Sequence, residues 1–322
     1  MASLADLGSG SFGLWTRSQA LAVTSRHTVQ RLLAHGIWQV VLPTVYADGG
    51  YQLDDAQRSA AAVLRVAGSL RAGGATGVLC GRSAARLWGM VLIDDADPAT
   101  GAAQHLLIDV TSAGGRPTAY GDDHRSDGDR HLVVRHRLRC GEQEVLTRPD
   151  GLRVTTPVRT VVDCAALLGR DALVCLLDDA LRRRLLSRRQ LQEAVVRRAG
   201  LPGTDGLRRA VALADGRAEA PSETLARLLL LPHLPALVPQ VLLLDRRGQP
   251  VARFDLADER ARLAVELDGR RGHAGERMVA RDQRRDRATV ALGWVTERAT
   301  WYDVRRRQDE LVARIVTRHR SR

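Results

Sequence analysis

Apolar positions in the first fifty residues repeat at helical spacing and then give way to a β-rich run. Thr16 caps a short helix through Leu21, and Thr24 or Ser25 caps a second that ends at Gly36. A hydroxyl ahead of an apolar-periodic run accepts hydrogen bonds from the open backbone N–H groups of the first turn. In the second helix Val29, Leu32 and Leu33 share one face, and His27, Gln30 and Arg31 lie opposite. Residues 38–46, rich in valine and aromatic side chains, follow as a strand. The pattern predicts a winged helix-turn-helix over residues 1–50, with His27, Gln30 and Arg31 turned toward DNA. The same spacing also fits any small helical pair with a polar face.

From 51 to 217 the pattern mixes periods. Helical stretches fall at 56–66 and 82–90, strands at 105–110 and 131–136, and helices after that. Residues 114–129 are polar and rich in Gly and Asp, a surface loop in which Asp122, Asp123, Asp127 and Asp129 do not match calcium-loop spacing. Thr156 ahead of Pro157 opens one helix, and Ser187 with Gln190 opens another as a capping box. Residues 201–206 and 215–221 form a hinge.

A third region, 218–322, begins with a helix capped by Ser222, carrying Glu223 in its first turn and Leu225, Leu228 and Leu229 toward a core. Strands at 241–245, 252–255 and 263–268 form a meander, followed by a helix over 276–292 closed by Gly293, a strand at 294–298 and a helix at 304–316. The expectation is a multidomain α+β or α/β chain: a winged helix (1–50), a mixed α/β body (51–217) and an α/β/α domain (218–322).

Composition narrows the function classes. An apolar fraction of 44% over 322 residues suffices for sizeable cores and excludes a wholly disordered chain. The longest apolar run, 228–244, is broken by Pro232, His233, Pro235, Pro239 and Gln240, and the N-terminus lacks the basic start of a signal peptide. A cytoplasmic protein without a membrane partner is expected. Cys80, Cys140, Cys164 and Cys175 form no CxxC pair, so structural thiols are expected rather than zinc or disulfides. All 49 basic residues are Arg, so no lysine ammonium can serve as general base or phosphate clamp.

The net charge of +12 is uneven. Residues 1–150 and 218–252 are neutral, whereas 151–217 and 253–322 each carry +6, the latter from 18 Arg against 12 acids. An excess of that size suits a polyanion, and nucleic acid is the usual one. Arg182, Arg183, Arg184, Arg188 and Arg189 equally suit solvated helix faces.

The sharpest chemical pattern is a set of carboxylates. Along 263–268 the apolar Leu263, Val265 and Leu267 alternate with Glu266 and Asp268, which share a face beside Asp255 at the end of the neighbouring strand. Like charges grouped in apolar surroundings need a positive partner. Two partners remain open on the pattern: a divalent cation, for which oxygen ligands suit magnesium, or arginines such as Arg253, Arg270 or Arg281. The helix from 276 adds Arg281, Arg284 and Arg285 as phosphate-backbone contacts.

At these residues the chain resembles a known family. Ser222-Glu223, Pro239-Gln240, Arg253-Phe254-Asp255, Val265 to Gly269 with His273, Arg281-Asp282 to Arg285-Asp286, and Leu292-Gly293-Trp294 with Arg298 are together similar to the very-short-patch-repair (Vsr-like) endonuclease domain of the PD-(D/E)xK superfamily. The first 215 residues are similar to AbiEi-type antitoxins, through the N-terminal pattern and the run from Thr155 to Asp163. The first resemblance implies a Mg²⁺-dependent DNA endonuclease, with Asp255 and Glu266 as metal ligands and Glu223 in support through water. The superfamily's lysine position is Asp268 here, which leaves Asp268 and His273 to activate water or protonate the leaving oxygen. His273 as a plain turn histidine, and Gln240 as a ligand-orienting group or a strand-end cap, stay open. The second resemblance implies the alternative function, a non-catalytic DNA-binding regulator or antitoxin of a type IV toxin–antitoxin system, with a nucleotidyltransferase toxin as partner.

Overall fold

The computed structural model describes residues 13–42, 44–50, 77–93, 106–112, 124–125, 131–135, 140–148, 153–200, 203–268 and 276–322; for 106–112, 124–125, 131–135 and 276–282 it describes the backbone. The expected helix at 56–66, most of the loop at 114–129 with its four aspartates, and His273 lie outside the described residues. The described chain is a mixed α+β structure, in two compact units: 1–168 with 193–204, and 169–192 with 205–322. No described helix is long and apolar enough to cross a membrane.

The first unit opens with strand β1 (Leu14–Thr16), helices α1 (Arg17–Val23) and α2 (Arg26–Ala34), and strands β2 (Trp38–Leu42) and β3 (Val45–Asp48) in a sheet of order β1-β3-β2. Thr16 and Gln19 form the capping box of α1, and Ser25 caps α2. Gly36, at φ +67°, turns the chain out of α2. The single strand expected over 38–46 is instead a hairpin, because Thr44 at φ +73° reverses the chain. Trp15, Ala20, Val29, Trp38 and Tyr46 form its core, with Leu32 and Leu33 packed on them.

The rest of this unit holds a six-stranded sheet, order β6-β7-β5-β4-β9-β8, of β4 (Gly77–Leu79), β5 (Leu106–Ser112), β6 (His124–Arg125), β7 (His131–Arg135), β8 (Val145–Thr147) and β9 (Arg153–Thr155). Helices α3 (Gly81–Leu87) and α4 (Pro157–Cys164) belong with it. Strand β6 falls inside the stretch expected to be loop. In α4, Arg159 is buried, donates to Asp163 Oδ1 at 2.8 Å and pairs with Glu144. Burial pushes the Asp163 carboxyl up to about 6 against the pull of Arg159, and its buried Oδ2 has no hydrogen-bond partner among the described residues.

In the second unit the sheet runs β10-β11-β12-β13: β10 (Val238–Leu244), β11 (Pro250–Asp258), β12 (Leu263–Asp268) and β13 (Val295–Thr300). The first three strands form the expected antiparallel meander. Strand β13 joins β12 in parallel, after the crossover helix α9 (Glu276–Ala291). Around it lie α5 (Arg170–Arg182), α7 (Thr204–Leu213), α8 (Pro221–Leu230), α10 (Trp301–Arg306) and α11 (Gln308–Arg320), while α6 (Arg188–Arg197) spans the boundary of the two units. Val241, Ala252, Phe254, Ala257, Ala264 and Trp294 form a core, the Phe254 and Trp294 rings 4.9 Å apart.

Two sequence expectations need correction here. Helix α8 is capped by Ala220, not Ser222, since Pro221 takes the first helical position, where a missing N–H costs nothing. The single helix expected at 304–316 is two: a Thr300–Asp303 capping box starts α10 early, and Arg307 interrupts the helical path. All four cysteines are buried, and none is in a disulfide.

Helix α8 is held from below by Asp178 of α5. Its two oxygens accept from the amides of Asp215 (2.6 Å) and Gly216 (3.2 Å), from Thr224 Oγ1 (2.8 Å) and from Arg227 Nη2 (2.8 Å). Every lone pair of a buried carboxylate is thereby matched, which fixes α8 and the Glu223 it carries.

Candidate functional site

Strand β12 has β11 on one side and β13 on the other, and Leu263 to Glu266 are all buried. The sequence pattern suggested one apolar and one polar face; the strand is in fact covered on both, so Glu266 is a buried carboxylate. Glu266 Oε2 accepts from Arg285 Nη2 of α9 at 2.8 Å and lies 3.9 Å from Arg298 Nε, its parallel-register partner on β13. Arg298 also donates to Asp286 Oδ2 at 2.7 Å, so two guanidinium groups and two carboxylates alternate across this edge.

Asp255, on β11, accepts the Leu267 N–H at 2.8 Å through Oδ2. Glu223 accepts the Glu219 N–H at 2.9 Å and Gln240 Nε2 at 2.8 Å, both through Oε2. Gln240 adopts φ +58°, a costly backbone for a residue with a Cβ, and its buried Oε1 has no hydrogen-bond partner among the described residues. With Pro239 opposite Leu256 and Val241 opposite Phe254, Gln240 stands across from Asp255. Arg253 bonds Glu219 at 2.8 Å.

Each of the three carboxylates therefore has one oxygen anchored and, among the described residues, no hydrogen bond on the other. Burial raises the proton affinity of all three. The Asp255 charge raises Glu223 and Glu266 further, which places it within electrostatic reach of both. Arg285 and then Arg298 oppose the rise at Glu266, and the Leu267 N–H and then Arg253 oppose it at Asp255. Among the described residues, no three His, Cys, Asp or Glu side chains gather closely enough to hold a metal ion as they stand.

Asp268, half-buried, lies at the end of β12 in register with Thr300. Arg284 is exposed on α9, and the side chain of Arg281, like all of Arg270 and His273, lies outside the described residues. In the first unit His27, Gln30 and Arg31 are exposed on α2 while Val29 is buried. Of the two partners left open for the strand carboxylates, arginine is present: Arg285 and Arg298 at Glu266, and Arg253, one of those named, within electrostatic reach of Asp255. Arg285 had pointed to phosphate, and Glu219 and Arg298 carried no expected role. The sequence signals for the two arginines were their places in the Vsr-like motif set and the need of a buried Glu266 for a counter-charge; Glu219 had none.

No family model matches this chain. Uncharacterized proteins from two strains of Mycobacterium tuberculosis are each 34% identical to it over 177 residues, 55% of this chain and 65% of theirs. The chain thus covers a little under two thirds of their length.

Proposed function

We propose that the second unit is a Mg²⁺-dependent DNA endonuclease of the Vsr-like, PD-(D/E)xK type, and that the winged-helix-like, AbiEi-like N-terminal region holds duplex DNA through His27, Gln30 and Arg31. The observation that carries the reading is the placement of Glu223 on a helix, Asp255 on the second strand and Glu266 on the third, with Asp255 repelling each of the other two and one oxygen of each anchored. The order helix, three-stranded meander, crossover helix, parallel strand supports the reading because it brings the elements that carry these carboxylates together, and their donors are hard oxygens of the kind magnesium prefers.

In this reading Asp255 and Glu266 would hold the cation, with Glu223 beside Asp255. Magnesium bound there would lower the pKa of water and offset charge on the phosphate. Arg285 and Arg298 bring to Glu266 the positive charge a lysine would otherwise supply, suited to a phosphate accumulating charge. Gln240 and the Glu219 amide keep Glu223 oriented, and the Leu267 amide does the same for Asp255. Asp268 and His273 are the groups proposed to move protons at the attacking and leaving oxygens.

One observation favours a second reading. Arg285 sits directly on Glu266, as it would in a nuclease scaffold kept for binding in a DNA-binding regulator or antitoxin paired with a nucleotidyltransferase toxin. Supercoiled plasmid separates the two. The nuclease reading expects Mg²⁺-dependent nicking by the full chain and none by Glu266→Ala; equal nicking by both proteins, or none by either, would overturn it. The regulator reading expects metal-free, sequence-selective gel shifts that depend on Gln30 and Arg31.

A further inference from the structure

Helix α10 presents two large aromatic side chains to solvent. Trp301 is 43% and Tyr302 57% exposed, whereas Val304 of the same helix is 1% exposed and anchors it inward. Both rings carry a guanidinium: Arg305 Cζ lies 5.6 Å from the Trp301 ring centre and Arg307 Cζ 5.3 Å from that of Tyr302. The Thr300–Asp303 capping box fixes where the helix begins.

Their position gives this pair its meaning. Because β12 and β13 are parallel, they end at one edge, where Asp268 faces Thr300 and Trp301 follows at once. Helix α10 also packs on α8, whose first turn holds Glu223. The exposed rings thus stand at the strand ends that carry Glu266 and Asp268, in a stretch where 18 Arg outnumber 12 acids over residues 253–322.

We infer that Trp301 and Tyr302 form a stacking platform for unpaired bases, and that the strand presented to the carboxylates is single-stranded or locally unstacked DNA. Exposed aromatic rings stack on unpaired bases, and the arginines beside these rings suit the adjoining phosphates, a pairing of chemistries typical of single-strand binding. The inference rests on the nuclease reading for the identity of the strand.

The test uses the full chain in EDTA, so that no cleavage intervenes, titrated into a dye-labelled oligo(dT) strand and a dye-labelled duplex of equal length, with the affinity of wild type and of every variant read from the anisotropy of the dye. Trp15, Trp38 and Trp294 are buried and Trp88 is half-buried with its indole N–H on the Thr155 carbonyl, so fluorescence quenching by the strand reports chiefly on Trp301. Wild type is expected to bind the strand with quenching, and Trp301→Ala with Tyr302→Ala to bind it about five- to a hundredfold more weakly while holding duplex within about twofold. Trp301→Phe, which keeps a ring, is expected to restore most of the affinity. Unchanged strand affinity in the double variant, or equal losses for strand and duplex, would overturn the platform. Plasmid nicking without strand quenching would overturn the platform and leave the nuclease; quenching in wild type with strand affinity lost in the double variant, and no nicking by wild type, would uphold the platform and overturn the nuclease.

Discussion

Arg285→Met isolates what holds the carboxylate cluster together. The substitution keeps most of the apolar stem and removes the guanidinium that meets Glu266 Oε2 at 2.8 Å. At an effective dielectric of about 20, attraction at that distance is of order 6 kcal/mol, against roughly 4 for Arg298 at 3.9 Å. Removing one partner of a fully buried pair costs about 3–5 kcal/mol. Arg298 remains, and Arg285 is 27% exposed and so partly screened, which lowers the expected loss to roughly 2–3 kcal/mol. For a domain of this size that is a drop of about 5–10 °C in Tm at pH 7. Adding Glu266→Gln should recover most of it, because the uncompensated charge is gone. Mg²⁺ should raise the Tm of Arg285→Met more than that of wild type, since the cation then answers a charge no arginine covers. The reasoning fails if Arg285→Met melts within 1–2 °C (about 0.5 kcal/mol) of wild type, or if Glu266→Gln lowers it further.

Three further outcomes follow. Asp178→Ala strands the Arg227 charge, the Thr224 hydroxyl and two amides in the interior; a loss of about 3–5 kcal/mol in urea unfolding is expected, and a loss under 1 kcal/mol would show that the four bonds do not hold α8. Asp163, whose carboxyl is raised from 3.8 to about 6, binds its proton more tightly folded than unfolded, so its contribution to stability is complete below about pH 4 and lost as pH rises through about 6. Asp163→Asn should flatten that part of the pH profile of the urea midpoint, and an unaltered slope would refute the assignment. Arg31→Ala, on the exposed face of α2, should weaken duplex binding across sequences and reduce the salt slope of binding by about one ion; an unchanged slope would remove α2 from the DNA contact.

Strand β12 was legible to the residue because alternation and the flanking turns agree over Leu263–Asp268. The cap at Thr16, a cap of α2 at Thr24 or Ser25, and the stop at Gly293, φ +81°, were legible for the same reason: each is a local rule obeyed locally. What escaped depends on distant partners. Strand β1 has three residues and exists because Leu14 meets Ala47, which no short window contains. The burial of Glu266 came with β13 returning in parallel beside it and with the crossover helix α9, whose Arg285 reaches it. Which of several arginines on that helix would land on Glu266 was set by the crossover, so composition announced a counter-charge without naming Arg285. Gln240 was visible as a polar residue among prolines, but its left-handed backbone and its bond to Glu223 are properties of the assembled sheet.

The central claim, that Asp255 and Glu266 form a divalent-cation site for phosphodiester hydrolysis, is tested most directly by the rate of plasmid nicking as Mg²⁺ is raised, measured for wild type, Asp255→Asn and Glu266→Gln. The account predicts a rate that saturates with Mg²⁺ for wild type, is abolished by EDTA, and falls at least about a hundredfold in both variants. Nicking that ignores Mg²⁺, or that persists unchanged in either variant, would contradict it.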